Sequence, residues 1–306
     1  MNKANRILIV LSILVISTVL INAVSNADDT HEMRDPIEKS TSELYDIKAL
    51  VIPENLDFSG EKVPLQDSDV YERIDRELLV NTYWQSNGLL MFKRAHKYFP
   101  VIEPILARNV VPDDFKYLAL IESGLQNVTS PSGAKGFWQI MKATGKEYGL
   151  EINDNVDERY DLEKSTEVAC QYILKAKERF GSWSLAAAAY NAGNKRIADR
   201  LEQQKVSNYY DLLLNDETAR YVPRIIAVKE ILSHPKKYGF SFETQDLYKP
   251  LISYQVRVDT VISDMARFAK NFDMTYKELK ILNPWLREAK LNNKSRKEYL
   301  IKIKRK

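Results

Sequence analysis

The sequence predicts a mainly helical protein that ends in a small α+β unit. Apolar residues recur at three- and four-residue intervals from about residue 67 to residue 240, which is the spacing of helices that bury one face. Strand-like alternation is scarce until residues 254–258. With 306 residues, 44% hydrophobic and 28% charged, the chain has the composition of a globular protein with one large domain and small appendages.

The first 27 residues are expected to direct export. Lys3 and Arg6 precede an apolar run over residues 7–21, and the small-residue site Ser25-Asn26-Ala27 follows, which is the order of a signal peptide. A retained membrane anchor is the alternative, because the run approaches the roughly 17 apolar residues needed to cross a bilayer. Either reading places the rest of the chain outside the cytoplasm, in the periplasm or elsewhere in the cell envelope.

The chain has a single cysteine, Cys170, and for an exported protein this suggests a bacterial envelope. Cys170 cannot form an internal disulfide, and an exported protein of this size without disulfides depends on a large core. Cys170 is itself expected to be a small buried residue on its helix.

Residues 28–66 are rich in Asp, Glu, Pro, Ser and Thr and predict a linker or loosely packed lead-in. Helical spacing then defines the main domain, residues 67–240. Asp113 is a candidate N-cap and Gly124 a candidate C-terminal stop for one short helix. The predicted helices cover residues 67–84, 87–110, 112–124, 162–181, 183–193, 194–204 and 216–235.

Composition and motifs exclude several classes of function. The net charge of +3 is too small and too dispersed for a nucleic-acid-binding domain. His31, His96 and His234 lie far apart without carboxylate or cysteine spacing, so we expect no metal site. No phosphate loop or dinucleotide fingerprint is present, and we expect no cofactor.

Glu122 is the candidate catalytic residue. It follows Leu118 and Ala119 by four and three residues and Phe115 by seven, so it shares their apolar face. Burial there would raise the pKa of the carboxyl group and suit it to general acid catalysis near neutral pH. No other acid follows for 24 residues. From the helix alone, an ordinary solvent-facing glutamate is the simpler interpretation.

The segment after Glu122 favours a ligand-binding cleft. Residues 130–136, SPSGAKG, form a turn-rich loop that lets backbone approach a ligand. Residues 137–141, FWQIM, then predict aromatic surface beside an amide that can hydrogen-bond a sugar.

Several motifs together resemble those of the family 1 lytic transglycosylases. They are Glu122-Ser123, the run from Ser130 to Met141, and the AYNAG stretch at 189–193, with further similarity at 156–173 and 217–225. The resemblance covers about residues 84–240 and implies a goose-lysozyme-like helical fold. Many family members have Gly-Leu-Met-Gln where this chain has Gly-Phe-Trp-Gln at 136–139, and Trp138 is expected to alter how the pocket holds the sugar ring.

The resemblance also implies a reaction and its residues. Glu122 would act first as acid and then as base on the bond between N-acetylmuramic acid and N-acetylglucosamine, leaving a 1,6-anhydromuramoyl end. The implied substrate-binding residues are Ser123, Ser130, Gln139, Met141, Tyr190, Asn191 and Tyr221. The implied partner is the peptidoglycan glycan strand, and the protein is expected to act as a monomer.

Two other functions stay open at this point. A hydrolytic muramidase on the same fold would replace the muramoyl C6 hydroxyl with water, and a catalytically silent protein would only bind the wall. Singly, Tyr190 and Tyr221 are equally well explained as core residues, since the chain has 17 tyrosines.

Residues 250–306 predict strand, helix, helix, strand and resemble a degenerate LysM glycan-binding module. Val258 replaces the usual glycine before Asp259, so the unit is either a weak glycan binder or a packing appendage. The basic tail, KSRKEYLIKIKRK, favours anionic lipids or wall polymers, or is simply solvated.

Overall fold

A computed structural model describes residues 47–305 of the chain. The segment expected to direct export lies outside the described residues. Among the residues that are described, no helix is long and apolar enough to cross a membrane. Residues from Leu50 onward form one compact unit.

The main body consists of helices packed around one core. Its α-helices are α1 (Ser68–Tyr83), α2 (Gln85–Arg108), α3 (Lys116–Ser123), α4 (Lys142–Glu147), α5 (Leu162–Phe180), α6 (Trp183–Ala192), α7 (Asn194–Gln204), α8 (Asp216–Ala219) and α9 (Tyr221–Ser233). Single 3₁₀ turns lie at Asp113–Phe115, Glu158–Tyr160, Pro235–Tyr238 and Thr244–Asp246. The mainly helical class predicted from periodicity is confirmed.

Helix α9 is the central element of this body. It packs against α1, α3 and α6, and eight of its thirteen residues are buried, as expected for a helix surrounded on most sides. The catalytic candidate on α3 and the tyrosine at the start of α9 are therefore held by the same core.

The helix termini confirm one prediction and correct another. Gly124 ends α3 in the left-handed region, with φ of 60°, where glycine has no Cβ to strain. Asp113 does not cap α3; it starts the 3₁₀ turn, and α3 begins at Lys116. The predicted helix over 216–235 is interrupted at Arg220, which separates α8 from α9.

The described part of the lead-in, residues 47–66, contains more regular structure than its composition predicts. Strands β1 (Asp57–Phe58) and β2 (Glu61–Lys62) pair antiparallel, and Phe58 is fully buried in the main core. Glu61 accepts hydrogen bonds from the amides of Trp183 and Ser184, at 2.6 and 2.9 Å, and so caps α6. Burial alone would raise the pKa of Glu61, but these donors and the Ser182 hydroxyl hold it below its ordinary value.

The C-terminal unit has the predicted order of elements. Strand β3 (Ser253–Val258) is followed by α10 (Met265–Lys270), α11 (Tyr276–Leu282) and β4 (Tyr299–Lys304). The strands pair antiparallel with Val258 opposite Tyr299 and Tyr254 opposite Ile303. Their inward side chains and the two helices form a second, smaller core.

Candidate active site

Glu122 lies in the last turn of α3, with the main core behind it. Phe115, Leu118 and Ala119 are fully buried, which confirms the apolar face predicted from their spacing. Glu122 itself is half-buried. Its carboxyl group is thus withdrawn from most of the solvent but still open to a ligand.

The hydroxyl of Tyr221 donates a hydrogen bond to Oε1 of Glu122. Tyr221 is the first residue of α9 and directly follows the break at Arg220. The ring is buried in the main core. The structure therefore gives Tyr221 both of the roles that the sequence left open, as a core residue and as a partner of the catalytic candidate.

Burial raises the pKa of Glu122 from an ordinary 4.5 to about 7. The hydrogen bond from Tyr221 acts against this rise because it stabilises the charged form. The negative charge of Glu217 raises the pKa further, and the positive charge of Arg224 lowers it. Near neutral pH the carboxyl group thus exists in both protonation states, as a group that alternates between acid and base requires.

Arg224 is not a free counter-ion for Glu122. Its Nε donates to Oε2 of Glu77 at 3.1 Å, and Arg220 approaches the same carboxylate at 3.5 Å. Glu77 is buried, so Arg224 is already paired with another carboxylate. The charge of Arg224 lowers the pKa of Glu122 less than burial raises it.

Helix α6 brings Tyr190 and Asn191 to the same region. The hydroxyl of Tyr190 donates to the carbonyl oxygen of Trp138 at 2.7 Å. Burial raises the pKa of this phenol well above its ordinary value, and the nearby charge of Glu122 raises it further. Asn191 donates to Oε1 of Glu217 at 3.2 Å and accepts from the Thr218 hydroxyl at 2.8 Å.

A cavity of about 230 Å³ opens beside these residues. Four of the predicted substrate-binding residues line it, with Ile140, Thr144 and Tyr172 among the others. Met141 is 44% exposed, so its side chain is accessible to a ligand in the cavity. The four are Gln139, Met141, Tyr190 and Asn191.

The three other predicted contacts, Ser123, Ser130 and Tyr221, do not line this cavity, and neither does Glu122. Ser123 is buried, and its hydroxyl donates to the carbonyl oxygen of Phe137 at 2.8 Å. The hydroxyl of Ser130 accepts from the amide of Ala134 at 3.0 Å. Both hydroxyl groups thus hold the loop between Ser130 and Met141, which we call the glycan loop.

The prediction that the glycan loop exposes an aromatic surface is wrong. Phe137 is 4% exposed and Trp138 0%, and the indole Nε1 of Trp138 donates to the Thr166 hydroxyl at 2.8 Å. Trp138 therefore anchors the loop to α5 from inside the core and does not touch a sugar ring. Phe137 and Trp138 directly follow the turn at Gly136 and lie in the core. Their residue types alone do not show this direction.

Gly136 is required where the glycan loop passes over the backbone of Arg159. Its φ is +81°, and a Cβ there would lie 2.0 Å from the carbonyl oxygen of Arg159. Arg159 is buried and bound to Asp157 through both Nε, at 2.9 Å, and Nη2, at 2.7 Å. Its Nη1 donates to the carbonyl oxygens of Gly133 and Ile140 at 3.3 and 3.4 Å.

Sequence reasoning gave no role to four of these residues. Asp157 and Arg159 lie in the stretch 156–173, and Glu217 and Arg224 in the stretch 217–225, both of which carry the family resemblance. Their position in these two stretches was the only sign in the sequence that they could matter for the site. Their roles depend on contacts across the fold, which spacing does not reveal.

Two segments of the chain match family models. Residues 99–213 match the transglycosylase SLT domain, and residues 254–306 match the soluble lytic transglycosylase C-terminal LysM-like domain. The first segment lies within the main body, and the second covers most of the C-terminal unit. The SLT match includes Glu122 and the cavity residues but ends before Tyr221.

The chain is similar to membrane-bound lytic murein transglycosylase D of Escherichia coli strain K12. The two are 30% identical over 204 residues, which is 65% of this chain and 44% of the relative. The chain thus spans less than half the length of this relative. It is also 31% identical over 106 residues, 34% of the chain and 51% of the relative, to a putative tributyltin chloride resistance protein of Alteromonas sp. strain M-1.

Among solved structures, the chain is similar to the 70 kDa soluble lytic transglycosylase of Escherichia coli. The TM-score is 0.41 at 18% identity, and the match covers 69% of this chain and 42% of that one.

Proposed function

We propose that the protein is a peptidoglycan lytic transglycosylase with Glu122 as its acid and base. The observation that carries the proposal is one carboxyl group with a pKa of about 7, bonded to Tyr221, within an SLT domain. The mainly helical fold and the name of the murein-cleaving relative agree with it.

The proposed reaction cleaves the β-1,4 bond between N-acetylmuramic acid and N-acetylglucosamine. Protonated Glu122 donates its proton to the glycosidic oxygen as the bond from that oxygen to the muramoyl C1 breaks. The 2-acetamido group stabilises the cationic centre. Glu122, now a carboxylate, takes the proton of the muramoyl C6 hydroxyl as this oxygen bonds to C1. A 1,6-anhydromuramoyl end forms, Glu122 regains its proton, and no water is consumed.

The cavity residues would position the muramoyl sugar for this step. Gln139 and Met141 contribute from the glycan loop, and Tyr190 and Asn191 from α6. Tyr221 stabilises the carboxylate form of Glu122 when the proton has left. Ser123 and Ser130 would act through the loop that they hold.

The deciding experiment digests purified sacculi and determines the mass of the released muropeptides. Anhydro ends support the proposal. The Glu122→Gln variant should release none, because an amide cannot donate the proton; full release by this variant would overturn the assignment of the acid. A wild-type protein that bound sacculi and released nothing would be a silent wall-binding protein.

A hydrolytic muramidase is the second candidate, because the structure places a second carboxylate near the first. Glu217 is close enough to raise the pKa of Glu122, and ordinary glycosidases use two carboxylates. In a muramidase, Glu217 would activate water or form the glycosyl bond, so Glu217→Gln would abolish release and the wild-type products would carry reducing ends. In the transglycosylase, Glu217→Gln keeps the anhydro product.

We further propose that the protein acts in the cell envelope, periplasmic and as a monomer. The charged, apolar and small-residue order of the first 27 residues supports export, and the substrate lies outside the cytoplasm. Light scattering of the purified chain tests the monomer. Mass determination of the N-terminus from envelope fractions tests whether cleavage follows Ala27 or an anchor is kept.

A further inference from the structure

The LysM-like unit is docked onto one loop of the main body, residues 151–160, which we call the bracing loop. Two backbone hydrogen bonds join them. The amide of Asp157 donates to the carbonyl oxygen of Trp285, and the amide of Arg287 donates to the carbonyl oxygen of Asn155, both at 2.9 Å. Together these two bonds form an antiparallel β-bridge between Val156 and Leu286.

Side chains of the bracing loop complete this interface. Asn155 donates to the carbonyl oxygen of Lys290 at 2.7 Å and accepts from the amide of Asn292 at 2.8 Å. Val156 and Tyr160 are buried in the second core. The bracing loop therefore completes the hydrophobic core of the C-terminal unit.

The opposite side of the bracing loop supports the glycan loop. Arg159 is fixed by its paired bonds to Asp157, and Asp157 is the residue whose amide is bound by Trp285. From there Arg159 donates to carbonyl oxygens near both ends of the glycan loop, at Gly133 and Ile140. A guanidinium held on two sides in this way has little freedom to shift.

Arg159 is linked through Gly136 to Gln139, which is held in a strained backbone conformation. Its φ is +46°, a region that costs a non-glycine residue about 1 kcal/mol or more. The side chain of Gln139 donates to the carbonyl oxygens of Gly136 and Val128, at 2.7 and 3.3 Å. Gly136 in turn rests against Arg159. Strained residues persist only where their surroundings hold them.

We propose that the LysM-like unit braces the substrate cleft within the same molecule, through Asn155, Asp157 and Arg159 as positioning residues for Gln139. The unit then contributes to substrate binding in the cleft by fixing the glycan loop, whether or not it binds glycan itself. The effect on substrate cleavage rests on the proposed function, whereas the effect on the stability of the glycan loop does not.

The first test measures amide hydrogen exchange of the full chain without substrate. The amides of Lys135, Gly136 and Ile140 are hydrogen-bonded within the loop region and report its stability. Asn155→Ala, which removes two interface bonds, should lower their protection about fivefold, the equivalent of one ordinary hydrogen bond. Val156→Asp, which places a charge in the second core, should lower it more. Lys304→Ala, which removes a pair with Glu278 inside the unit, is the control and should change nothing there.

The second test is a double-mutant cycle on sacculus digestion. Asn155→Ala should raise KM about fivefold with little change in kcat. In the Gln139→Ala background the same substitution should have almost no further effect, because the residue being positioned is gone. Residues without shared partners give additive effects, so additivity would overturn the brace and point to independent glycan binding by the unit.

The two tests separate failure of the brace from failure of the proposed function. Unchanged exchange in both Asn155→Ala and Val156→Asp would refute the brace even if anhydro products form. Lost protection in a protein that releases no anhydro products would keep the brace and refute the transglycosylase.

Discussion

At the scale of single residues, Glu122 combines two environments that work against each other. The core behind α3 disfavours its charge, and the Tyr221 hydroxyl favours it. The result is a pKa of about 7, which suits the acid-and-base role that we propose for Glu122. The same burial that suits catalysis carries a cost for folding.

We predict that Glu122→Gln stabilises the folded protein at alkaline pH. The pKa of Glu122 in the folded protein is raised above the ordinary 4.5. The contribution of Glu122 to the free energy of unfolding is therefore fully present below pH 4.5 and is lost as the pH rises towards 7. Glutamine has no charge to desolvate, so the variant should gain up to about 3 kcal/mol at pH 8 and almost nothing at pH 4. Urea unfolding at both pH values measures this. An equal gain at both would show that the effect is not ionisation.

We predict that Tyr221→Phe lowers activity and moves its alkaline limit upward. Loss of the hydroxyl removes a bond to a charged group, typically about 1.5–3 kcal/mol, so kcat should fall roughly ten- to a hundredfold. The pKa of Glu122 should rise above 7, since the lost bond had lowered it, and kcat/KM should extend to higher pH.

Tyr209→Phe is the matched control for that prediction. Its hydroxyl is also buried but bonds the carbonyl oxygens of Thr218 and Ala219. This variant should lose stability without moving the pH profile. A shift of the alkaline limit in Tyr209→Phe, or its absence in Tyr221→Phe, would contradict the role given to Tyr221.

At the scale of elements, the glycan loop is shaped mainly by what lies beneath it. Arg159 and Trp138 fix the loop from inside, while the Ser123 hydroxyl holds it at Phe137 and the Ser130 hydroxyl holds its first turn at Ala134. Its residue types alone predicted a sugar-facing aromatic surface. The loop instead directs its aromatic side chains inward and leaves Gln139 and Met141 to the cavity.

We predict that Gly136→Ala is far more damaging than Gly133→Ala. Both glycines have positive φ, of +81° and +85°, so both substitutions carry a backbone cost of about 1–2 kcal/mol. Only at Gly136 would the added Cβ collide with the Arg159 carbonyl; around Gly133 it would meet nothing within 4 Å. Gly136→Ala should lower Tm by several degrees more and raise KM. Equal effects would show that the loop moves away from Arg159 freely.

At the scale of the whole molecule, the two hydrophobic cores share the bracing loop. Its residues belong to the chain of the main body, yet Val156 and Tyr160 complete the smaller core. Charges of the basic tail also join the C-terminal unit to the main body. Lys297 pairs with Glu151 and Lys302 with Glu163, at 2.6 and 3.0 Å. These two cations are therefore engaged within the molecule rather than available to anionic lipids.

We predict that the chain from Leu50 onward unfolds in one cooperative transition. A small unit that cannot close its core alone should not melt separately, so the calorimetric and van't Hoff enthalpies should agree. Val156→Asp should split the transition, with the LysM-like unit unfolding first. Two transitions in the wild-type protein would show that the units are energetically independent.

The sequence by itself determined most of the long helices, the strand-helix-helix-strand order of the C-terminal unit and the apolar face that carries Glu122. These follow from local periodicity and from glycine stops such as Gly124, which neighbouring residues set. Family motifs also pointed to Tyr190, Asn191 and Tyr221 as residues near the acid.

Only the tertiary structure decided which carboxylate lies near Glu122, that Trp138 is buried, and that the lead-in caps α6 through Glu61. It also decided that Arg159 joins the LysM-like unit to the glycan loop. Each of these depends on residues far apart in the chain, such as Glu122 and Glu217, or Asp157 and Trp285. Periodicity and residue type cannot show them, because they arise only when separate elements pack against one another.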